Sequence, residues 1–339
     1  MKNRFAGVLV LLFTMMTALT GCAQKVTLDN TAEVVNVNGM SIPMGELNFY
    51  LRYQQAQMQN FMGVYFGEDY MSQDIMGMGA TYGDTVREST VDALVEYYLI
   101  EQNADDLGIA LTDEDDAKIA EVVKAFLTDN DSKTLELISA DEATVTHLLE
   151  LTTLQVKAYA DRAATIDTAV NEEEIEQKRI SYVMTSTIGT SSADGTVTDL
   201  TAEELAEKKN TMEAIASKAK ETGDLSAAAE ENGLSAVTLT YGKGDNTLNE
   251  AVLTAADQLS DGEVSAVIED ESGYFVVLME STLDKDATEA KRQEVLGERE
   301  NEAYNAWYEP LKEAAQITKN EELIQSLTFE RIYTTPVEE

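Results

Sequence analysis

Along the first half of the chain, apolar residues recur three and four positions apart, the spacing that lines one face of a helix. Leu47, Tyr50, Leu51, Met58, Phe61, Met62 and Tyr65 mark one helix after Ile42-Pro43-Met44. Val86, Val91, Leu94, Val95, Tyr98 and Leu99 mark a second, from about Thr85 to Gly108. Thr112 with Asp115 reads as a capping box that opens a third helix through Phe126. Ser139-Ala140-Asp141-Glu142 reads as another box, opening a fourth helix to about Ala164. A short strand from Val34 ends in a turn at Gly39 and precedes them all. Between Phe61 and Gly83 the period is lost and the chain turns to glycine, methionine and aromatic residues.

The texture changes after Asn171-Glu172-Glu173-Glu174, a short linking helix. Ile180 to Ser186 is rich in strand formers, and a polar loop follows to Asp199. Thr201 with Glu204 caps a helix that stops at Gly223, and Asp224 to Asn232 forms a shorter one. Val237, Leu239 and Tyr241 alternate as a strand; Leu248 to Ala256 is helical; two strands lie at Val264–Glu269 and Tyr274–Met279. The order β-α-α-β-α-β-β predicts helices packed on a small antiparallel sheet, so the fold class is α+β. A charged segment from Leu283 to Glu302 starts a last helix passing Tyr304, Trp307 and Leu311, which the pattern docks back on the helical module.

The N-terminus has a different character. Lys2 and Arg4 precede an apolar stretch from Phe5 to Ala18, and Leu19-Thr20-Gly21 leads into Cys22, the only cysteine. A positive start, a short apolar run and small residues before a cut describe a secretory signal peptide. About fourteen helical residues would cover only about 21 Å, short of a bilayer core of roughly 30 Å. The formal net charge of the chain is −39. That charge excludes nucleic acid as a partner, because phosphate binding needs a basic footprint. A lone cysteine leaves no disulfide, and a single histidine, His147, leaves no zinc site, so no metal and no cofactor are expected. No base and orienter can be assembled for a serine nucleophile. His147 itself reads as an ordinary helix residue.

Two resemblances follow from these residues. Leu19-Thr20-Gly21-Cys22 resembles the lipobox of bacterial lipoproteins, which implies a lipid on Cys22 and an anchor on the outer face of the cell membrane. Tyr241-Gly242-Lys243-Gly244, Gln258 to Ser265 and Ser272-Gly273-Tyr274 resemble motifs of parvulin-type peptidyl-prolyl isomerases, and Val35 to Gly39 with Glu46-Leu47 resembles the start of the chaperone module in SurA- and PrsA-type foldases. The implied organisation is a leader over 1–21, a tether over 22–31, a helical chaperone module over 32–175, a parvulin-like domain over 176–284 and a returning C-terminal helix over 285–339.

In active parvulins, the resemblance implies, two histidines anchor a polar network around the twisted X–Pro amide. Here Tyr182 and Phe275 stand at those places, with Ser272 as a remaining polar candidate, while Tyr241, Leu248 and Val252 would line the substrate groove. The favoured function is a membrane-anchored foldase that holds unfolded exported chains, with isomerase activity weak or absent. The alternatives are an active isomerase that uses Tyr182, and a surface binding lipoprotein; a homodimer is left open as the assembly. Met58, Phe61, Met62, Tyr65, Phe66, Met76 and Met78 are the candidates for client contact, since methionine-rich surfaces accept many partners. The competing reading makes them helix core and a loose loop.

Overall fold

Among the described residues the first regular element is a three-residue strand, β1 (Thr17–Leu19), inside the segment read as a leader. The computed structural model describes residues 17–19, 28–191 and 197–335. Cys22 and most of the leader and tether lie outside the described residues. By contacts the chain divides into two units, Met1–Ile166 with Glu300–Glu339, and Asp167–Arg299.

The helical unit begins with a hairpin of β2 (Glu33–Val37) and β3 (Met40–Pro43). Asn38 and Gly39 close it with φ of 52° and 92°, the left-handed pair a two-residue hairpin turn requires. Helix α1 (Met44–Phe66) follows, and its first ten residues, Met44 to Tyr53, are all buried. The spacing predicts an amphipathic helix, but this half is enclosed on every side, as a central helix is. Its polar residues Glu46, Asn48, Arg52, Gln55 and Gln59 are therefore inside the core.

Helices α2 (Tyr82–Leu107), α3 (Asp113–Asp129), α4 (Ser132–Leu137) and α5 (Glu142–Ala163) pack around it. Thr81/Asp84 and Thr112/Asp115 form reciprocal capping boxes, and Gly108 ends α2 in the left-handed conformation at φ 65°. The box predicted at Ser139 does not form: Asp141 is the cap, accepting from Thr144 N, while Ser139 sits at φ 60°. The Ser139 hydroxyl instead accepts from buried Asn48 at 2.9 Å and donates to Asn30 at 2.9 Å. A buried amide on α1 needed a partner, and that need outweighed a local cap.

The second unit starts with α6 (Glu172–Ile175) and β4 (Gln177–Ser186). A two-stranded ladder of β5 (Thr190–Ser191) and β6 (Val197–Thr198) precedes α7 (Ala202–Thr222), which Thr201 and Glu204 cap reciprocally. Then come α8 (Leu225–Glu230), β7 (Val237–Gly242), α9 (Glu250–Ala256), β8 (Ile268–Glu269) and β9 (Gly273–Ser281). The antiparallel sheet has the order β7-β4-β9-β8, and the predicted strand from Val264 shortens to β8 plus a single bridge between Val264 and Leu278. The predicted α+β succession is observed.

Helix α10 (Lys285–Ala314) carries the chain from the second unit back into the first. There Tyr304 donates to Glu96 on α2 at 2.5 Å and packs on Tyr159 of α5 at 5.4 Å, with Trp307 beside it. Three elements beyond the predicted last helix complete the unit: β10 (Ile317–Lys319), α11 (Glu321–Gln325) and β11 (Ile332–Thr334). β10 pairs with the free edge of β2, so the predicted lone strand is the centre of a three-stranded sheet.

Candidate functional site

Strand alternation decides which side chains meet in the second unit. The β4–β9 register sets Ile180, Tyr182 and Met184 opposite Met279, Val277 and Phe275, all on one face. Val252, Leu253 and Ala256 of α9 cover that face with Leu248, Leu259 and Ile268 around them. The opposite face, with Val183, Tyr274 and Val276, packs on Met212, Ile215 and Ala216 of α7 and Leu225 and Ala228 of α8.

The two positions where the resemblance calls for histidines are thus neighbours, the Tyr182 and Phe275 rings lying 6.2 Å apart at 36°. Phe275 is 3% exposed and its ring is core. Tyr182 is half-buried, and its hydroxyl has no hydrogen-bond partner among the described residues. Ser272 is not brought to them. Tyr182 is in register with Val277, five residues from Ser272, which is about 16 Å along a strand. The Ser272 hydroxyl donates to Asp270 at 2.7 Å, and the Ser272 and Gly273 amides bond the same carboxylate, stapling the turn into β9. Burial pushes the Asp270 carboxyl up, but the hydrogen bonds from Asn249, Ser272 and Gly273 win and hold it below the usual range. Gly273 is obligatory there, since a Cβ would come within 2.3 Å of the Thr185 carbonyl oxygen.

The groove candidates are also closed. Val252 is 0% and Tyr241 3% exposed, so neither offers surface to a ligand; only Leu248 is partly open. The buried Tyr241 hydroxyl donates to Asp257 at 2.8 Å, and Lys178 reaches the same oxygen at 2.8 Å. Burial first, then Asp257, pushes the Tyr241 phenol well up, so it acts as a neutral donor that pins α9 to β7. The predicted substrate-lining residues Tyr241 and Val252 are, in the fold, packing residues.

The helical unit presents the opposite surface. α1 leaves the core after Gln59, and its last turns carry Phe61 (63% exposed), Val64 (79%), Tyr65 (69%) and Phe66 (45%). Met76 and Met78 in the following loop are 54% and 71% exposed. Phe61 and Tyr65 stack on each other at 4.9 Å. The loop itself is stapled, because the Asp74 carboxylate accepts from Met78 N at 3.0 Å and Gly79 N at 2.7 Å. The remaining candidates turn inward: Met62 packs against the core, and Met58 does so while its sulfur accepts from Tyr82 at 3.4 Å. Tyr70 and Met71, from the same aperiodic stretch, are buried. The stretch is therefore divided: Phe61, Tyr65, Phe66, Met76 and Met78 are exposed, while Met58 and Met62 pack on the core. Between Arg52 and Arg87 every charged residue is acidic: Glu68, Asp69, Asp74 and Asp84.

His147 occupies a site that spacing alone did not reveal. Its Nδ1 lies 2.7 Å from Glu46 and its Nε2 3.5 Å from Glu101. The Tyr98 hydroxyl donates to the other Glu46 oxygen at 2.7 Å. The Glu101 and Glu46 carboxylates raise the imidazole to about 10 against the opposing effect of burial, so it is an imidazolium at neutral pH. The available signal was Glu46, an acid inside an otherwise apolar helix face. Among the described residues no group of three or more His, Cys, Asp or Glu side chains is arranged to hold a metal.

Two family models match this chain. Residues 2–133 match the SurA-like N-terminal domain, and residues 197–292 match the PPIC-type PPIase domain. The second match begins after β4, the strand that holds Tyr182. The foldase protein PrsA of Caldanaerobacter subterraneus subsp. tengcongensis is 24% identical over 331 residues, covering 96% of this chain and 99% of that protein. Among solved structures, the foldase PrsA of Lactococcus lactis is 15% identical and covers 87% of this chain and 98% of its own, with a TM-score of 0.35. PrsA of Bacillus subtilis is 18% identical and covers 88% and 98%, with a TM-score of 0.21. The chain thus joins a SurA-like N-terminal domain to a PPIC-type PPIase domain and is a homologue of the PrsA foldases.

Proposed function

We propose that this foldase homologue works mainly by holding unfolded exported polypeptides on its helical unit, with prolyl isomerisation weak or absent. The observation that carries the reading is the apolar end of α1 and its loop. Among the described residues, six of the eleven exposed large apolar side chains, Phe61, Val64, Tyr65, Phe66, Met76 and Met78, fall within eighteen residues of chain. A concentration of exposed apolar side chains marks an interaction surface. Flexible methionines beside rigid aromatic rings suit partners of varied sequence.

The groove chemistry supports the second half of the proposal. Rotating an X–Pro bond means passing a barrier of about 18–20 kcal/mol, at a transition state where the amide loses its conjugation. Lowering it calls for polar groups aimed at the twisted amide. Among the described residues of this face, the Tyr182 hydroxyl is the one polar group without a hydrogen-bond partner, beside a buried phenylalanine. That same free hydroxyl, half-exposed, is the one observation in favour of the alternative, an isomerase built on Tyr182.

The location follows from Cys22. No helix among the described residues is long and apolar enough to cross a membrane. A diacylglycerol on Cys22 would tie the protein to the outer face, and the charge of −39 opposes broad contact with anionic lipid, leaving the anchor to do that work. Detergent phase partition and mass spectrometry of the expressed protein test the anchor: Cys22→Ser moves the protein to the aqueous phase. The central test pairs suppression of aggregation of a denatured enzyme with a proline-isomerisation assay. Holding without catalysis is expected; catalysis without holding overturns the proposal.

A further inference from the structure

The C-terminal strand β11 is held on α1 by its backbone. The Gln55 amide donates to Arg331 O at 2.7 Å, and the Asn60 amide donates to Thr335 O at 2.8 Å and to its hydroxyl at 3.0 Å. The Arg52 guanidinium lies between the rings of Phe329 (5.5 Å) and Tyr333 (5.6 Å). Its nitrogens bond Asn48 and Gln55, and burial lowers its pKa only to about 10, so it stays charged and keeps its grip. The buried polar stripe of α1 thus fixes an extended segment in place.

The other edge of β11 is paired by the chain's own leader. Thr17, Ala18 and Leu19 of β1 lie antiparallel to Thr334, Tyr333 and Ile332. Cleavage before Cys22 would remove this partner and leave the outward N–H and C=O groups of β11 open, which is the condition for strand addition. The open edge adjoins the apolar patch, because Asn60 grips Thr335 and Phe61 and Val64 follow within the next turn of α1.

We infer that the β11 edge, Ile332–Thr334, is a strand-addition site for an extended apolar segment of an unfolded chain, and that β1 occupies it as a built-in stand-in until processing. The inference rests on the reading that the helical unit holds clients. Its occupant is an extended polypeptide because one is seated there already. Main-chain pairing supplies sequence-tolerant contact, and the Phe61–Val64–Tyr65 surface supplies apolar contact for the side chains that flank the ladder.

The test uses a fluorescein-labelled peptide of residues 13–21 and three proteins. These are the full chain, the full chain with T17P, A18P and L19P, and the chain processed at Cys22. Circular dichroism checks that each is folded. The processed and triple-proline chains should bind the peptide at least tenfold more tightly than the full chain. Within the peptide, N-methylation at Thr17 and Leu19 and N-methylation at Ala18 should differ by at least tenfold, because successive amides of a strand point to opposite edges. This contrast leaves the protein untouched, so a misfolded variant cannot produce it. Reduced, carboxymethylated α-lactalbumin, a permanently unfolded chain, should compete with the peptide. Equal binding of the two methylated peptides, or equal binding by all three proteins, overturns strand addition. If no peptide binds while aggregation suppression persists, the edge is rejected and the holding function stands. If suppression fails as well, both fall.

Discussion

The two units treat polarity in opposite ways. The helical unit buries charge and exposes apolar surface: Glu46, Arg52 and Arg87 are buried, with His147 half-buried on Glu46, while Phe61, Val64 and Tyr65 face solvent. The PPIC-type unit brings Tyr182 beside Phe275 on one face of its sheet and encloses Tyr241 and Val252 as packing. Buried ion pairs hold a structure together only when both partners and their hydrogen bonds are in place, so they are parts of scaffold rather than of reactive sites by default. An exposed apolar surface makes the converse case, since it costs solubility and is kept where something binds. The only histidine of the chain lies in the helical unit, and the PPIC-type unit has none.

The sharpest way to break this comparison is to remove Glu46. Glu46→Ala leaves the Tyr98 hydroxyl without its buried acceptor and the His147 imidazolium with Glu101 alone, and should destabilise the helical unit by about 1–3 kcal/mol. Denaturant unfolding followed by Trp307 fluorescence measures it, and a loss below about 1 kcal/mol would show that the cluster is not structural.

Next in size is the exposed patch. Replacing Phe61, Tyr65, Phe66, Met76 and Met78 together by serine should cut aggregation suppression about tenfold, while each exposed site alters stability by only about 0.5 kcal/mol. Unchanged suppression would move the holding surface elsewhere.

A smaller effect is set by pH. The folded value for His147 is about 10 against an ordinary 6.5, so its contribution is full below pH 6.5 and is lost as pH rises through 10. Denaturation midpoints taken between those limits should fall for the wild-type helical unit, and His147→Gln should flatten that slope. The smallest effect is expected at Tyr182→Phe, whose free hydroxyl leaves nothing unpaired when removed. Thermal unfolding of the second unit should shift by less than about 1 kcal/mol, and any isomerase activity should be unchanged. A collapse of catalysis in that variant would turn the comparison around.

Several features were legible from local pattern. Thr112 and Thr201 cap the helices they announce, with Asp115 and Glu204 returning the bond, because a capping box closes within four residues. The alternation in Val237–Tyr241 and the apolar run Tyr274–Met279 each announced a strand. The resemblance to parvulins located Tyr182 and Phe275, and the register set them side by side. Other features were hidden. Ser139 looked like a cap until Asn48, ninety-one residues away in sequence, claimed its hydroxyl. Tyr241 and Val252 looked like groove lining, yet Val252 belongs to the buried face of α9 and packs in one core cluster with Tyr241. Nothing local in Ile317–Lys319 or Ile332–Thr334 announces that one completes the sheet of β2 and the other lies on α1.

Helix starts, strand alternation, the α+β order and the lone cysteine after its apolar run belong to the sequence, because each depends on hydrogen bonds or periodicities that span a few residues. Tertiary packing decided the rest: which half of α1 is enclosed, which methionines face water, where His147 finds two carboxylates, and which backbone grips β11. Those outcomes depend on burial, and burial is settled only when segments distant in sequence compete for the same interior, where an unpaired polar group is too costly to leave alone.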